Sequence, residues 1–356
     1  MKARRRGVVA IVLALLSVPL LLAAYEAISF HEVNRSNGAF VSSGVKREYL
    51  LFVPRSYDRN RATPLVISMH GAAGWPVLQM QVSGWNTAAE RDGFLVVYPS
   101  AVDGFGPRIW HVERGADLDR DVKFVAELID TLQTNYNIDR SRIYADGLSN
   151  GGGMAFVLSC TLADRIAAFG MVAAAQTLAW SWCPDHTPVP AVVFHGTSDP
   201  DIPYEGGKSW MAPGIFPSVE RWTKNWALRN GCDSTSLRWP IAPDVVRIGY
   251  SHCPADAPVV LYSIEGGGHT WPGHDMLPEW WVGPTTESID ATELMWSFFQ
   301  RHPHRKKNSG DGIFSVPAII LSSLLTYCWH LANGLSGFAL STTTRWSRLP
   351  TFSAIS

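Results

Sequence analysis

The sequence of 356 residues predicts an α/β domain: a mostly parallel sheet with helices on both faces. Two patterns point there. Short, continuously apolar runs alternate with longer segments of helical periodicity, and continuous rather than alternating runs are those of strands buried on both faces. The residues able to do chemistry fall just after those runs, where open α/β sheets place their sites. Hydrophobic residues make up 46% and charged residues 17%, a globular balance that excludes a disordered chain.

The N-terminus reads as an export signal, with a basic stretch to Arg6, then an apolar run from Gly7 to Ala24 broken by Pro19. Residues 1–27 are therefore expected to be a signal peptide or N-terminal anchor, and residues 28–304 the catalytic domain. Within that domain, strands are expected at 46–53, 64–69, 94–98, 143–145, 165–174, 191–194 and 259–264. Helices are expected at 85–91, 119–136, 219–228 and 291–300. The second helix carries the clearest period, with Val122, Phe124, Val125, Leu128, Ile129 and Leu132 on one face. Beyond His304 the chain turns basic and then apolar. Residues 305–356 are expected to be an extension, poorly ordered or associated with a membrane.

Five cysteines behind an export signal fit an oxidising compartment, secreted or periplasmic. Cys160, Cys183, Cys232 and Cys253 allow three pairings, and the sequence-local pairs Cys160–Cys183 and Cys232–Cys253 are preferred. Cys232 and Cys253 bracket an expected β-excursion. The net charge of −1 without a basic face excludes a nucleic-acid partner. Histidines without metal-ligand spacing exclude a metal site.

The chemistry gathers around Gly147-Leu148-Ser149-Asn150-Gly151. A β-prone run leads into it and small, helix-compatible residues follow, the order of a nucleophile elbow. A serine hydroxyl needs a base to take its proton and an acid to orient that base. In the order Ser, Asp, His, the strand ends supply Asp199 and His269. Asp201 is the alternative acid, and His195 and His274 are less well placed as bases. Oxyanion donors are expected from the backbone of Asn150 and of Ala72.

These motifs resemble the secreted esterase group of polyhydroxybutyrate depolymerases and feruloyl esterases of carbohydrate esterase family one. The likeness rests on the His70-Gly71 strand exit, Tyr144 to Gly152, His195 to Tyr204 and Gly266 to Gly273. It extends in character to Cys160, Asn230-Gly231-Cys232 and Trp296 to Phe299, and covers roughly residues 40–302. It implies the α/β-hydrolase fold and Ser149, Asp199 and His269 as the triad. Trp75, Trp110 and Trp271 are expected to wall the substrate site, with Trp280 and Trp281 nearby. The expected function is hydrolysis of carboxylic esters without cofactor, feruloyl-type or otherwise polymer-linked. The alternatives are a polyester depolymerase, a serine peptidase or acyltransferase on the same fold, and a non-catalytic surface-binding protein. Membrane association is expected only through the two apolar terminal segments.

Overall fold

The computed structural model describes residues 35–102, 108–174, 176–178, 180–211, 214–274 and 276–304. The expected leader (1–27) and extension (305–356) lie outside them. Among the described residues no helix is long and apolar enough to cross a membrane.

Ten strands form one sheet. Its centre holds six parallel strands in the order β4 (Leu95–Pro99), β3 (Thr63–Met69), β5 (Ile138–Leu148), β6 (Ala168–Val172), β7 (Ala191–Gly196) and β12 (Val259–Ile264). Antiparallel pairs extend both edges: β2 (Val45–Phe52) with β1 (Gly38–Ser42) beside β4, and β11 (Val245–Tyr250) with β10 (Ser236–Ala242) beside β12. A two-stranded ribbon, β8 (Gly207–Lys208) with β9 (Ile215–Phe216), stands apart.

The central strands are buried throughout because both faces are covered. Along β3, Leu65, Ile67 and Met69 enter one core while Val66 enters the other, as the twofold repeat of a strand requires. The first core takes the apolar stripes of α3 (Ala116–Asn135), α4 (Asn150–Thr161) and α5 (Val219–Arg229). The second takes α1 (Pro76–Ser83), α2 (Trp85–Asp92) and α7 (Ala291–Arg301). Caps fix where helices begin. Ser218 accepts from Arg221 N–H at α5 and Asp290 from Glu293 N–H at α7.

Several elements depart from the sequence expectation. The strand expected at 165–174 starts only at Ala168, because the N–H groups of Arg165 and Ile166 both bond back to Leu162 O in the turn closing α4. β1 and α1 were not expected. In α1 a glutamine, Gln79, is buried and donates to Ser68 Oγ at 2.9 Å, so polarity does not mark its outer face. The excursion between Cys232 and Cys253 is the β10–β11 hairpin, and both preferred disulfides are present. β10 is an edge strand whose Leu237, Trp239 and Ile241 are exposed, with a register shift after Pro240.

Candidate active site

β5 runs through the sheet and delivers Ser149 at its carboxyl end, where α4 begins. Ser149 has φ 54° and ψ −120°, a conformation that L-residues avoid unless the surroundings impose it. Its N–H donates to Val172 O at 2.8 Å. The tightness of the turn explains its flanking glycines. A Cβ on Gly147 would lie 2.3 Å from the carbonyl carbon of Gly151, and one on Gly151 would lie 2.1 Å from Met69 O. Only glycine fits at either place.

Asp199 and His269 come from the loops after β7 and β12, neighbouring strands whose exits are bonded to each other. Ser198 N–H donates to Gly267 O at 2.9 Å, and Gly266 N–H to Thr197 Oγ at 2.8 Å. α6 (Glu279–Val282) closes over the second loop, its Val282 carbonyl accepting His269 N–H at 2.6 Å. The result is a 2.8 Å hydrogen bond from His269 Nδ1 to Asp199 Oδ2. The other oxygen of Asp199 accepts the N–H groups of Asp201 and Ile202, each at 2.8 Å. His195, also buried, brings Nε2 to 3.2 Å from Asp199 Oδ2 and 2.9 Å from Ile202 O. It thus faces the same carboxylate oxygen as His269.

Asp201 sits on the opposite side of the imidazole, its Oδ2 3.9 Å from His269 Nε2. Burial opposes ionisation of both Asp199 and His269. The mutual attraction and hydrogen bond overcome that, holding the Asp199 carboxyl far below its ordinary range and leaving His269 above its ordinary value, with the Asp201 charge adding to the rise. Asp201 itself is raised, first by burial and then by the Asp199 charge, against the opposing influence of His269 and the Trp210 indole.

Ser149 opens onto a cleft of about 460 Å³ lined by Ala72, Trp110, Val112, Asn150, Asp201 and Phe216, among others. Among the described residues the Ser149 hydroxyl has no hydrogen-bond partner, and it is not joined to His269 Nε2 by a hydrogen bond. Neither the Ala72 N–H nor the Asn150 N–H has an acceptor within the described chain. The segments carrying these two donors are pinned. Asn150 Oδ1 accepts Trp110 N–H at 2.7 Å while its Nδ2 donates to Trp110 O at 3.0 Å. Trp110 Nε1 donates to His70 O at 3.1 Å. His70 Nε2 accepts Ala101 N–H at 3.1 Å, so the ring proton sits on Nδ1 and is donated to Gly71 O at 2.7 Å. Burial lowers the His70 pKa to about 4, keeping the ring neutral and this tautomer fixed. The role of His70 was not legible from the sequence, where His70-Gly71 marks only a strand exit.

The expected aromatic wall is corrected in part. Trp110 lines the cleft. Trp271 is 1% exposed in the second core, its indole bonded to Thr292 Oγ at 2.9 Å; Trp75 also packs against that core rather than lining the cleft. Proximity in sequence to His269 misled for Trp271, because its side chain points back beneath α7. Two apolar residues not singled out from sequence, Met211 and Phe216, line the cleft instead. Among the described residues no three His, Cys, Asp or Glu side chains are grouped to hold a metal ion.

Comparison with known proteins agrees with this architecture. Residues 47–179 match the family described as Esterase PHB depolymerase. The bifunctional acetylxylan esterase/xylanase XynS20E of Neocallimastix patriciarum is 28% identical over 242 residues, 67% of this chain and 33% of that protein. Feruloyl esterase B of Piromyces equi is 31% identical over 229 residues, 63% of this chain and 42% of that protein. The chain thus spans less than half the length of either relative. The solved acetyl xylan esterase from Aspergillus awamori aligns with a TM-score of 0.53 over 74% of this chain and 98% of that one, at 15% identity. The shared fold is that of the α/β-hydrolases. In its quoted motifs, its family match and its relatives the chain is similar to the esterase group that contains the polyhydroxybutyrate depolymerases and the feruloyl esterases.

Proposed function

We propose that the chain hydrolyses carboxylic esters through an acyl-enzyme on Ser149. One observation carries this reading: a strained serine faces a cleft beside two backbone N–H groups without acceptors, next to a buried Asp199–His269 pair. His269 Nε2 takes the Ser149 proton as the hydroxyl attacks the ester carbonyl. Asp199 holds Nδ1 protonated and stabilises the imidazolium that forms. The Ala72 and Asn150 N–H groups receive the oxyanion. The proton then passes to the departing alcohol, and water enters by the same steps in reverse to release the acid. The proposed acyl group is aromatic, of feruloyl type, since Trp110, Val112, Met211 and Phe216 give the cleft apolar walls. The two disulfides support action outside the cytoplasm.

The test is active-site labelling with a fluorophosphonate, followed by comparison of kcat/KM for methyl ferulate and a soluble hydroxybutyrate oligomer. Labelling at Ser149, absent in Ser149→Ala, together with turnover of methyl ferulate is the expected result. Labelling with a clear preference for the oligomer would replace the aromatic acyl group by a hydroxyalkanoate. An unlabelled Ser149 would remove the acyl-enzyme altogether.

A further inference from the structure

Asp201 is a buried carboxylate that the proposed mechanism does not use. It is 4% exposed, yet it lines the cleft beside Ser149. Its backbone N–H serves Asp199, a duty that any residue but proline could meet. The Trp210 indole approaches the carboxylate, and Oδ1 still has no hydrogen-bond partner among the described residues. A buried acceptor without a donor is costly and rare in folded proteins. The side chain is left to be explained.

The second half of the reaction supplies a donor for it. An acyl group on Ser149 is released by a nucleophile that gives one proton to His269 Nε2. Water differs from every alcohol in carrying a second O–H bond on the attacking oxygen, and away from bulk solvent that O–H needs an acceptor. Asp199 does not serve there, because it bonds Nδ1 on the other side of the ring. Asp201 Oδ2 lies 3.9 Å from Nε2. Two acceptors at that separation, each about 2.8 Å from one water oxygen, subtend about 90° at it, close to the spread of its two O–H bonds.

Building on the ester-hydrolase reading, we infer that Asp201 positions the hydrolytic water and favours it over alcohols as the acceptor of the acyl group. The water oxygen bonds the acyl carbon and gives one proton to His269 Nε2, while its other O–H is donated to Asp201. As the tetrahedral intermediate collapses, the bond from carbon to Ser149 Oγ breaks and Nε2 returns its proton to Oγ. The second hydrogen leaves on the carboxylic acid. An alcohol gives its only hydroxyl proton to Nε2 and brings carbon, not a donor, toward Asp201. The charge thus directs the acyl-enzyme to hydrolysis rather than to transfer.

The experiment gives the enzyme 4-nitrophenyl ferulate in water containing methanol. Released nitrophenolate reports acylation, and the initial ratio of methyl ferulate to ferulate reports the choice between the two acceptors. Asp201→Ala should raise that ratio by about tenfold, the effect of losing one hydrogen bond to a charged group. Asp201→Leu fills the same space without an acceptor and should raise it as far. A changed His269 basicity or a loosened fold slows both acceptors alike and leaves the ratio where it was. The ratio is also internal to one preparation, so misfolded molecules do not enter it. A ratio unmoved in Asp201→Leu would overturn the inference and leave the hydrolase reading intact. A rise in Asp201→Ala alone would do the same, because it would mean only that methanol had gained room. Failure of the unmodified protein to release any nitrophenolate would remove both.

Discussion

Asp199 and Asp201 are two residues apart and both reach His269, yet they meet opposite nitrogens. In the proposed mechanism Asp199 bonds the nitrogen that must stay protonated, and Asp201 faces the one that moves the proton. Asp199→Asn should therefore cost several orders of magnitude in kcat on methyl ferulate, about four by analogy with other triads. Asp201→Asn should cost about tenfold or less on that ester, and steady-state kinetics of the two variants decides between them. The same contacts set a pH dependence. His269 must be neutral to act as a base, and its pKa is raised, so the acidic limb of kcat/KM should lie above the ordinary imidazole value of 6.5. Because the Asp201 charge contributes to that rise, Asp201→Asn should move the limb to lower pH. A limb that stays in place would show that Asp201 does not act on His269. From sequence, spacing after the strand favoured Asp199 but left Asp201 open. Only the direction from which each carboxylate approaches the ring separates them, and that depends on Asp199 folding back to accept two N–H groups of its own loop.

At the scale of elements, two buried polar ties connect strands and helices to the site. Arg47 on β2 pairs with Asp121 on α3 at 2.9 Å, and Asp121 also accepts the N–H and Nδ1 of His111. The Arg47 guanidinium lies 3.8 Å above the Phe124 ring. This fixes the Trp110–Val112 segment that walls the cleft. Asp121→Ala would leave a guanidinium buried without its partner and should lower unfolding free energy by about 3–5 kcal/mol, measured by urea denaturation. A loss within 0.5 kcal/mol would mean that water reaches Arg47. The second tie is Asp146 on β5, which accepts the Ser68 hydroxyl at 2.7 Å while Ser68 accepts Gln79 of α1. Burial raises its pKa from 3.8 to about 7. A carboxyl raised on folding contributes stability that is full below about 3.8 and is lost as pH rises through about 7. Thermal melting of Asp146→Asn should lose that part of the pH dependence between those values, and an unchanged difference from the unmodified protein at every pH would refute the assignment. Neither tie was legible beforehand. Arg47 and Asp121 are 74 positions apart, and Asp146 sits inside a run that reads as an ordinary buried strand. The central strands and α3 were legible because apolar runs and helical periodicity are local; β10 and β11 were legible only as an excursion between two cysteines, and β1 depends on pairing at the sheet edge.

For the whole molecule, the decisive arrangement is the row of parallel strands that brings three distant segments to one edge. Ser149, Asp199 and His269 leave β5, β7 and β12, and only β6 separates the first from the other two. That row was legible in outline, since each chemical residue follows an apolar run. The cleft walls were not. They come from connections such as 109–118 and from Asp201, Ile202, Met211 and Phe216, in stretches whose composition carries no periodic signal. Trp271 shows the limit: its position beside His269 in the chain says nothing about which way its ring turns.

The outer strand β10 has a consequence for handling the protein in solution. Leu237, Trp239 and Ile241 are exposed on a strand that, among the described residues, is paired along one side only, a template on which a second chain could add its own strand. Pro240, which has no N–H to offer, and the register shift beside it interrupt that template. Replacing Pro240 by threonine would supply the missing donor and should hasten concentration-dependent aggregation on mild heating, read by light scattering. Replacing Trp239 by lysine should slow it, because strands that gather like charges at their edges repel one another before they can stack.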